Sequence, residues 1–223
     1  YIVAAGNRTS DGAVARTMSS ALANRFCHIE VGANSASWLD WALNNDIDPR
    51  VIGFIRYMPQ RIFSMEGNKE RGWPSPRSWE RVSMEIETAD KHDLDKDLLH
   101  LLIEGLVGEG VAVEFMGFIE WTEKGPDVAR MLAKEIKVKI PGRADQRFAM
   151  VSAIVHHIKQ HDSPELLVDG FLDIATALPN DWLQLIIHDI RKIPDLRDFA
   201  NLCIVHPRWD DEIGHRIIAE KVI

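Results

Sequence analysis

From residue 33 onward one pattern recurs along the chain: apolar residues at helical spacing, a short polar break, and the same again. "SASWLDWALNND" places Trp38, Leu39, Trp41 and Ala42 on one helical stripe behind a serine suited to capping, and "PRVIGFIRYM" begins with Pro49 where proline favours the first helical turn. "RSWERVSMEIETAD" and "KDLLHLLIEGLVGEGVAVEFMGFIEW" continue the pattern. "DVARMLAKEI", "DQRFAMVSAIVHHIKQ", "PELLVDGFLDIATAL", "DWLQLIIHDI" and "DLRDFANLCIV" extend it, with "KVKIPGRAD" as an interruption. Pro164 and Asn180 stand where helix starts are expected. No repeat of fixed period runs through these segments. The one clear loop is "FSMEGNKERGWPSP", rich in charge, Gly and Pro.

The first 32 residues differ. Tyr1 to Ala5 and Phe26 to Val31 read as short apolar strands, separated by a polar loop and the helix-like "MSSALANRF". The expected fold is therefore mostly α with a small α/β remnant of two strands. The first strand runs into Asn7, with Arg8 and Asp11 just behind it. An apolar strand ending on an uncharged amide sets that amide at the carboxyl edge of a sheet, where open α/β folds bind ligands. Asn also favours turns, so the residues alone leave Asn7 open between a turn cap and a ligand contact.

Composition excludes several classes of function. A formal net charge of −8 argues against a general nucleic-acid coat or an anionic membrane surface, and favours a small-molecule or protein partner. Cys27 and Cys203 are the only cysteines, which gives neither a zinc knuckle nor a disulfide framework and suits the reducing cytoplasm. No apolar stretch approaches the roughly 20 residues of a membrane span. His156, His157 and His161 lack an acidic residue and an obvious further ligand at metal-site spacing, and "DKHDLDKD" lacks the alternation and glycine of a calcium loop, so no metal site is expected. The seven tryptophans at helical spacing are expected to fill cores rather than bind a ligand.

"YIVAAGNRTSDGAVARTMSSALANRF" resembles the closing segment of the αβα core of an AAA+ ATPase of the MoxR-like branch. In that family a strand ends on a polar sensor-1 residue, and a short helix then leads to an arginine finger before the last strand. Asn7 matches sensor 1 and Arg25, in "ANRF", matches the finger. "PSPRSW" resembles the sensor-2 motif that opens a lid helix, with Arg77 in the sensor position, and "LIEGLVGEGVAVEF" is similar to a lid segment. The resemblance implies three parts: residues 1–32 as the end of the αβα core, 33–126 as a helical lid, and 127–223 as a helical C-terminal region.

It further implies an ATP hydrolase, with ATP and Mg²⁺ as cofactors, self-association into a ring, a hexamer by family habit, and a protein client to be remodelled or matured. Asn7 would orient the attacking water or terminal phosphate, Arg25 would act on a neighbour's nucleotide, and Arg77 would reach the nucleotide of its own subunit. Phosphoryl transfer rests on positioned charge, and an arginine finger is worth ~10³ to 10⁵ in rate. Each assignment has a plainer rival. Arg25 could pair with Asp40 or Glu30, and the stem of Arg77 could pack on Trp73 or Trp79.

No G-x-x-x-x-G-K-[ST] occurs in the chain, and no apolar strand ends in paired acids for Mg²⁺. "GLVGEG", Gly105 to Gly110, lacks the lysine of a phosphate loop, and its glycines suit close helix packing or a kink. In the family both motifs precede the segment matched here, so hydrolysis is expected only of an intact protein that carries them. The alternative is a non-catalytic helical adaptor or scaffold derived from such an ATPase.

Overall fold

The computed structural model describes residues 2–6, 18–65 and 71–218, apart from the side chains of Trp121 and Ile218. Among the described residues twelve α-helices run in order: α1 Ser20–Ala23, α2 Ser35–Leu43, α3 Pro49–Tyr57, α4 Pro76–His92, α5 Lys96–Val107 and α6 Glu109–Glu123. They continue as α7 Val128–Leu132, α8 Ala144–Gln160, α9 Val168–Ala177, α10 Asn180–Lys192, α11 Arg197–Val205 and α12 His215–Ile218. Tighter 3₁₀ turns at Pro59–Ile62, Pro164–Leu167 and Pro194–Leu196 and a π-turn at Asp210–Gly214 join them.

Side-chain caps set half of the helix starts. Asn34, rather than the serine after it, caps α2 by accepting the Ser37 N–H at 2.9 Å. Asp48 caps α3, accepting the Arg50 N–H at 2.8 Å, with Pro49 in the first turn as its preference predicts. α4 ends on Asp93 in the left-handed conformation, φ 50°. The long apolar run from 96 to 121 is divided at Gly108, whose φ of 86° suits glycine and turns the chain between α5 and α6.

The two expected strands are absent from the described residues. Residues 2–6 and 27–34 have no regular structure, and Ile2, Val3, Ile29 and Val31 are 80% or more exposed. A strand requires a partner for its N–H and C=O groups, and no described segment lies alongside to supply one. Apolar composition alone did not make a sheet here.

A single cluster of buried apolar side chains runs from Trp38 to Ile213. α3 lies at its centre, with Val51, Ile52, Gly53, Phe54 and Ile55 all buried. α3 and α8 approach closely: a Cβ on Gly53 would sit 3.1 Å from Ala149 Cα. α7 and α9 meet more tightly still, since a Cβ on Gly170 would fall 1.9 Å from the Leu132 carbonyl oxygen. α3 also carries the one deeply buried ion pair among the described residues. Arg56 on α3 faces Asp189 on α10 at 2.6 Å, with side chains 6% and 2% exposed, and donates to Ser152 Oγ on α8 at 3.3 Å. Burial pushes the Asp189 carboxyl above its ordinary value, and the neighbouring guanidinium opposes that shift. Among the described residues no helix is long and apolar enough to cross a membrane.

Candidate functional site

The start of α4 is the most firmly built of the places singled out by sequence. Ser75 caps the helix, accepting the Ser78 N–H at 3.1 Å, and Pro76 occupies the first turn. The Ser78 hydroxyl in turn donates to the Trp73 carbonyl at 2.9 Å, so the cap is tied back to its own approach. Across the loop the Ser64 N–H donates to the Pro74 carbonyl at 3.1 Å. Trp79 is wholly buried, its ring 5.3 Å from those of Phe54 and Phe115, and its indole N–H donates to the Arg61 carbonyl at 2.7 Å. Behind the loop, Gly72 presses on α5 so closely that a Cβ there would lie 2.5 Å from the Gly105 carbonyl oxygen.

Arg77 projects from this rigid base into solvent. It is exposed and makes no hydrogen bond or ion pair with the described residues. Its neighbours Pro74, Trp79 and Ser75 hold the backbone, while no described residue engages the guanidinium. It adds a positive charge to the first turn of a 17-residue helix, the end where backbone N–H groups and the helix dipole already favour an anion.

Arg81, unremarked in the sequence reading, stands four residues on and shares that helix face. It is likewise exposed and unpartnered among the described residues. The i, i+4 spacing of two arginines was the signal available for it.

Arg25 lies in the turn that follows α1, exposed, with its N–H donating to the Leu22 carbonyl at 3.0 Å. No residue of α1 is buried. The proposed surface partner Asp40 is held instead by Lys192 at 2.5 Å, and Arg25 makes no ion pair with the described residues. Nothing described brings Arg25 into contact with Arg77. Asn7 lies outside the described residues.

His156 and His157 on α8 and His161 at its C-terminal cap do not form a ligand set. The rings of His157 and His161 are 5.8 Å apart, and His161 Nδ1 accepts the Ser163 N–H at 3.1 Å. Burial pushes both His156 and His157 below the ordinary imidazole value. Among the described residues no cluster of three His, Cys, Asp or Glu side chains is arranged to hold a metal ion.

No protein-family model, curated protein or solved structure matches the chain.

Proposed function

We propose that the chain is the C-terminal part of a MoxR-like AAA+ ATPase, which couples binding and hydrolysis of Mg²⁺-ATP to remodelling or maturation of a protein client within a self-associated ring. The observation that carries this reading is Arg77: an exposed guanidinium on the first turn of α4, with no partner among the described residues, on a backbone fixed by a serine cap, two prolines and a buried tryptophan. A surface arginine serving only solubility needs no such mounting. In the proposal Arg77 reaches the phosphates of ATP bound by its own subunit, and Arg81 extends the same positive face. Arg25, exposed in its turn, reaches a neighbouring subunit's nucleotide, and Asn7 orients the attacking water. The phosphate-binding loop and the acidic Mg²⁺ ligands belong to another part of the intact protein. The uncovered apolar residues Ile2, Val3, Ile29 and Val31 suit pairing with a sheet contributed by that part.

ATPase assays on the intact protein test this reading. Arg25→Ala is expected to abolish most hydrolysis with ATP binding nearly unchanged, because a finger acts mainly on the transition state. Mixing Arg25→Ala subunits with subunits defective in the phosphate loop restores part of the activity if the finger works across an interface. Assembled mixtures with no recovered activity would sink the trans assignment. An intact protein that neither binds nor hydrolyses ATP leaves the adaptor reading in its place.

A further inference from the structure

The interruption "KVKIPGRAD" forms most of the connection between α7 and α8, and residues 137–141 within it have no regular secondary structure. Burial alternates here: Ile136, Val138 and Ile140 are half-buried and pack against the core, whereas Lys137 and Lys139 are exposed. That two-residue period marks an extended chain, with side chains alternately inward and outward and backbone N–H and C=O groups pointing sideways. The Lys139 N–H points toward α7, donating to Met131 Sδ at 3.5 Å. In an extended chain the N–H and C=O groups of the two flanking residues point the opposite way, and those of Val138 and Ile140 make no backbone hydrogen bond with the described residues. A backbone edge unpaired in this way is a template for another extended chain.

Charge narrows what that chain is. Between residues 134 and 147 stand Lys134, Lys137, Lys139, Arg143 and Arg147 against only Glu135 and Asp145, in a protein of net charge −8. The acids around the edge are already engaged. Glu135 meets Arg130 at 3.1 Å and Asp145 meets Arg143 at 2.7 Å, while Asp173 meets Lys134 at 3.3 Å and Arg208 at 2.8 Å. Lys137 and Lys139 make no ion pair with the described residues, so two uncompensated positive charges stand on the outward face of the edge. Lysines so placed repel a second copy of the same edge and favour an acidic one.

We propose that residues 137–140 dock an extended segment of a partner protein, of alternating acidic and apolar residues, as an added antiparallel strand. Val138 and Ile140 exchange backbone hydrogen bonds with the apolar residues of that segment. Its acidic residues lie opposite Lys137 and Lys139 in the non-hydrogen-bonded pairs, where facing side chains approach most closely. The site rests on the connection between α7 and α8 and does not depend on the nucleotide reading.

The probe is acetyl-Val-Glu-Val-Glu-Val-amide, titrated into the full chain by calorimetry. It is expected to bind saturably, and its counterpart with glutamine for both glutamates to bind at least about tenfold more weakly. N-methylation of its central valine removes an N–H aimed at Val138 and is expected to weaken binding about tenfold or more. N-methylation of its first glutamate, whose N–H points away from the edge, is expected to leave binding within about twofold. These comparisons use the unsubstituted chain and stand even if a variant folds poorly. Lys137→Gln with Lys139→Gln is expected to bind the glutamate peptide as weakly as the unsubstituted chain binds the glutamine one, with unchanged thermal melting, since both lysines are exposed. Lys137→Glu with Lys139→Glu is expected to prefer acetyl-Val-Lys-Val-Lys-Val-amide. No saturable binding, equal binding of the glutamate and glutamine peptides, or equal effects of the two N-methyl groups overturns the proposal. Tighter binding of single-stranded oligothymidine, lost with both lysines replaced by glutamine, overturns it in favour of nucleic acid. Self-association of the unsubstituted chain that the same replacement abolishes overturns it in favour of a second copy.

Discussion

Arg77 illustrates how a residue's mounting bears on its role. A lysine at this position keeps the positive charge but loses the planar fork that matches two phosphate oxygens at once. In the intact protein Arg77→Lys is therefore expected to weaken ATP binding or its coupling to hydrolysis less than Arg77→Ala does. Neither variant is expected to shift stability by more than about 0.5 kcal/mol, since the side chain is exposed and holds nothing in place. ATP affinity, turnover and melting without nucleotide check this together. Wild-type affinity and turnover in both variants would remove Arg77 from the site. Gly170 is the opposite case, a residue whose identity is set by fit. Its missing Cβ is what lets α9 lie against the Leu132 carbonyl, and Gly170→Ala forces backbone apart from backbone. A loss of about 3 kcal/mol is expected by chemical denaturation, and a loss under 0.5 kcal/mol would show that α7 yields freely.

At the scale of elements, Pro49 was legible as a helix start and does sit in the first turn of α3, whereas the caps Asp48 and Ser75 were not read from sequence and the serine expected to cap α2 gives way to Asn34. The break between α5 and α6 was not legible, because Gly105, Gly108 and Gly110 offer three candidate sites and only backbone conformation selects Gly108. The strands failed for another reason. Apolar residues at 2–5 and 26–31 state a capacity to pair, and pairing needs a second strand that local sequence cannot supply.

The π-turn at Asp210–Gly214 was equally invisible, since what holds it is an ionic network assembled from separate elements. Arg208 donates through Nε and Nη2 to the two carboxylate oxygens of Glu212, both at 2.8 Å, and through Nη2 to Asp173 on α9 at 2.8 Å. Thr176 also donates to Glu212 at 2.8 Å. These contacts, Arg208 foremost, hold the Glu212 carboxyl at about 2, below its ordinary 4.5. The native state thus binds fewer protons than the unfolded chain in this window, and the stabilisation is complete above 4.5 and lost as pH falls toward about 2. Asp145 beside Arg143 is shifted in the same direction, so the informative quantity is a difference. Denaturation midpoints of Glu212→Gln should lie below wild type near pH 6 and converge with it toward pH 2. A constant gap at every pH would assign the effect to packing.

Across the whole molecule, the most consequential contact is one that no local pattern announces. Arg56 and Asp189 are far apart in sequence, one in the segment read as a lid and the other in the C-terminal region, yet they pair in the middle of one continuous core. Removing one partner leaves the other charge buried without compensation, which costs about 3–5 kcal/mol, whereas replacing both by apolar residues of similar volume is often neutral or stabilising. Asp189→Ala is therefore expected to destabilise strongly and Arg56→Met with Asp189→Leu to recover most or all of the loss. The pH dependence has a definite sign. The Asp189 carboxyl titrates above its ordinary 3.8 in the fold, so the native state holds that proton more tightly than the unfolded chain. Stability from this group accordingly falls as pH rises from about 3.8 through the raised native value, and is level beyond it. The double variant should lack that fall. Because α3, α8 and α10 meet at this pair, the helices from α2 to α11 are expected to unfold in one transition, with calorimetric and van't Hoff enthalpies in agreement. Two resolved transitions, with Asp189→Ala moving only one of them, would show that the lid and the C-terminal helices fold as separate units. A single shared transition means that residues 33–126 and 127–223 fold as one cooperative unit around this pair.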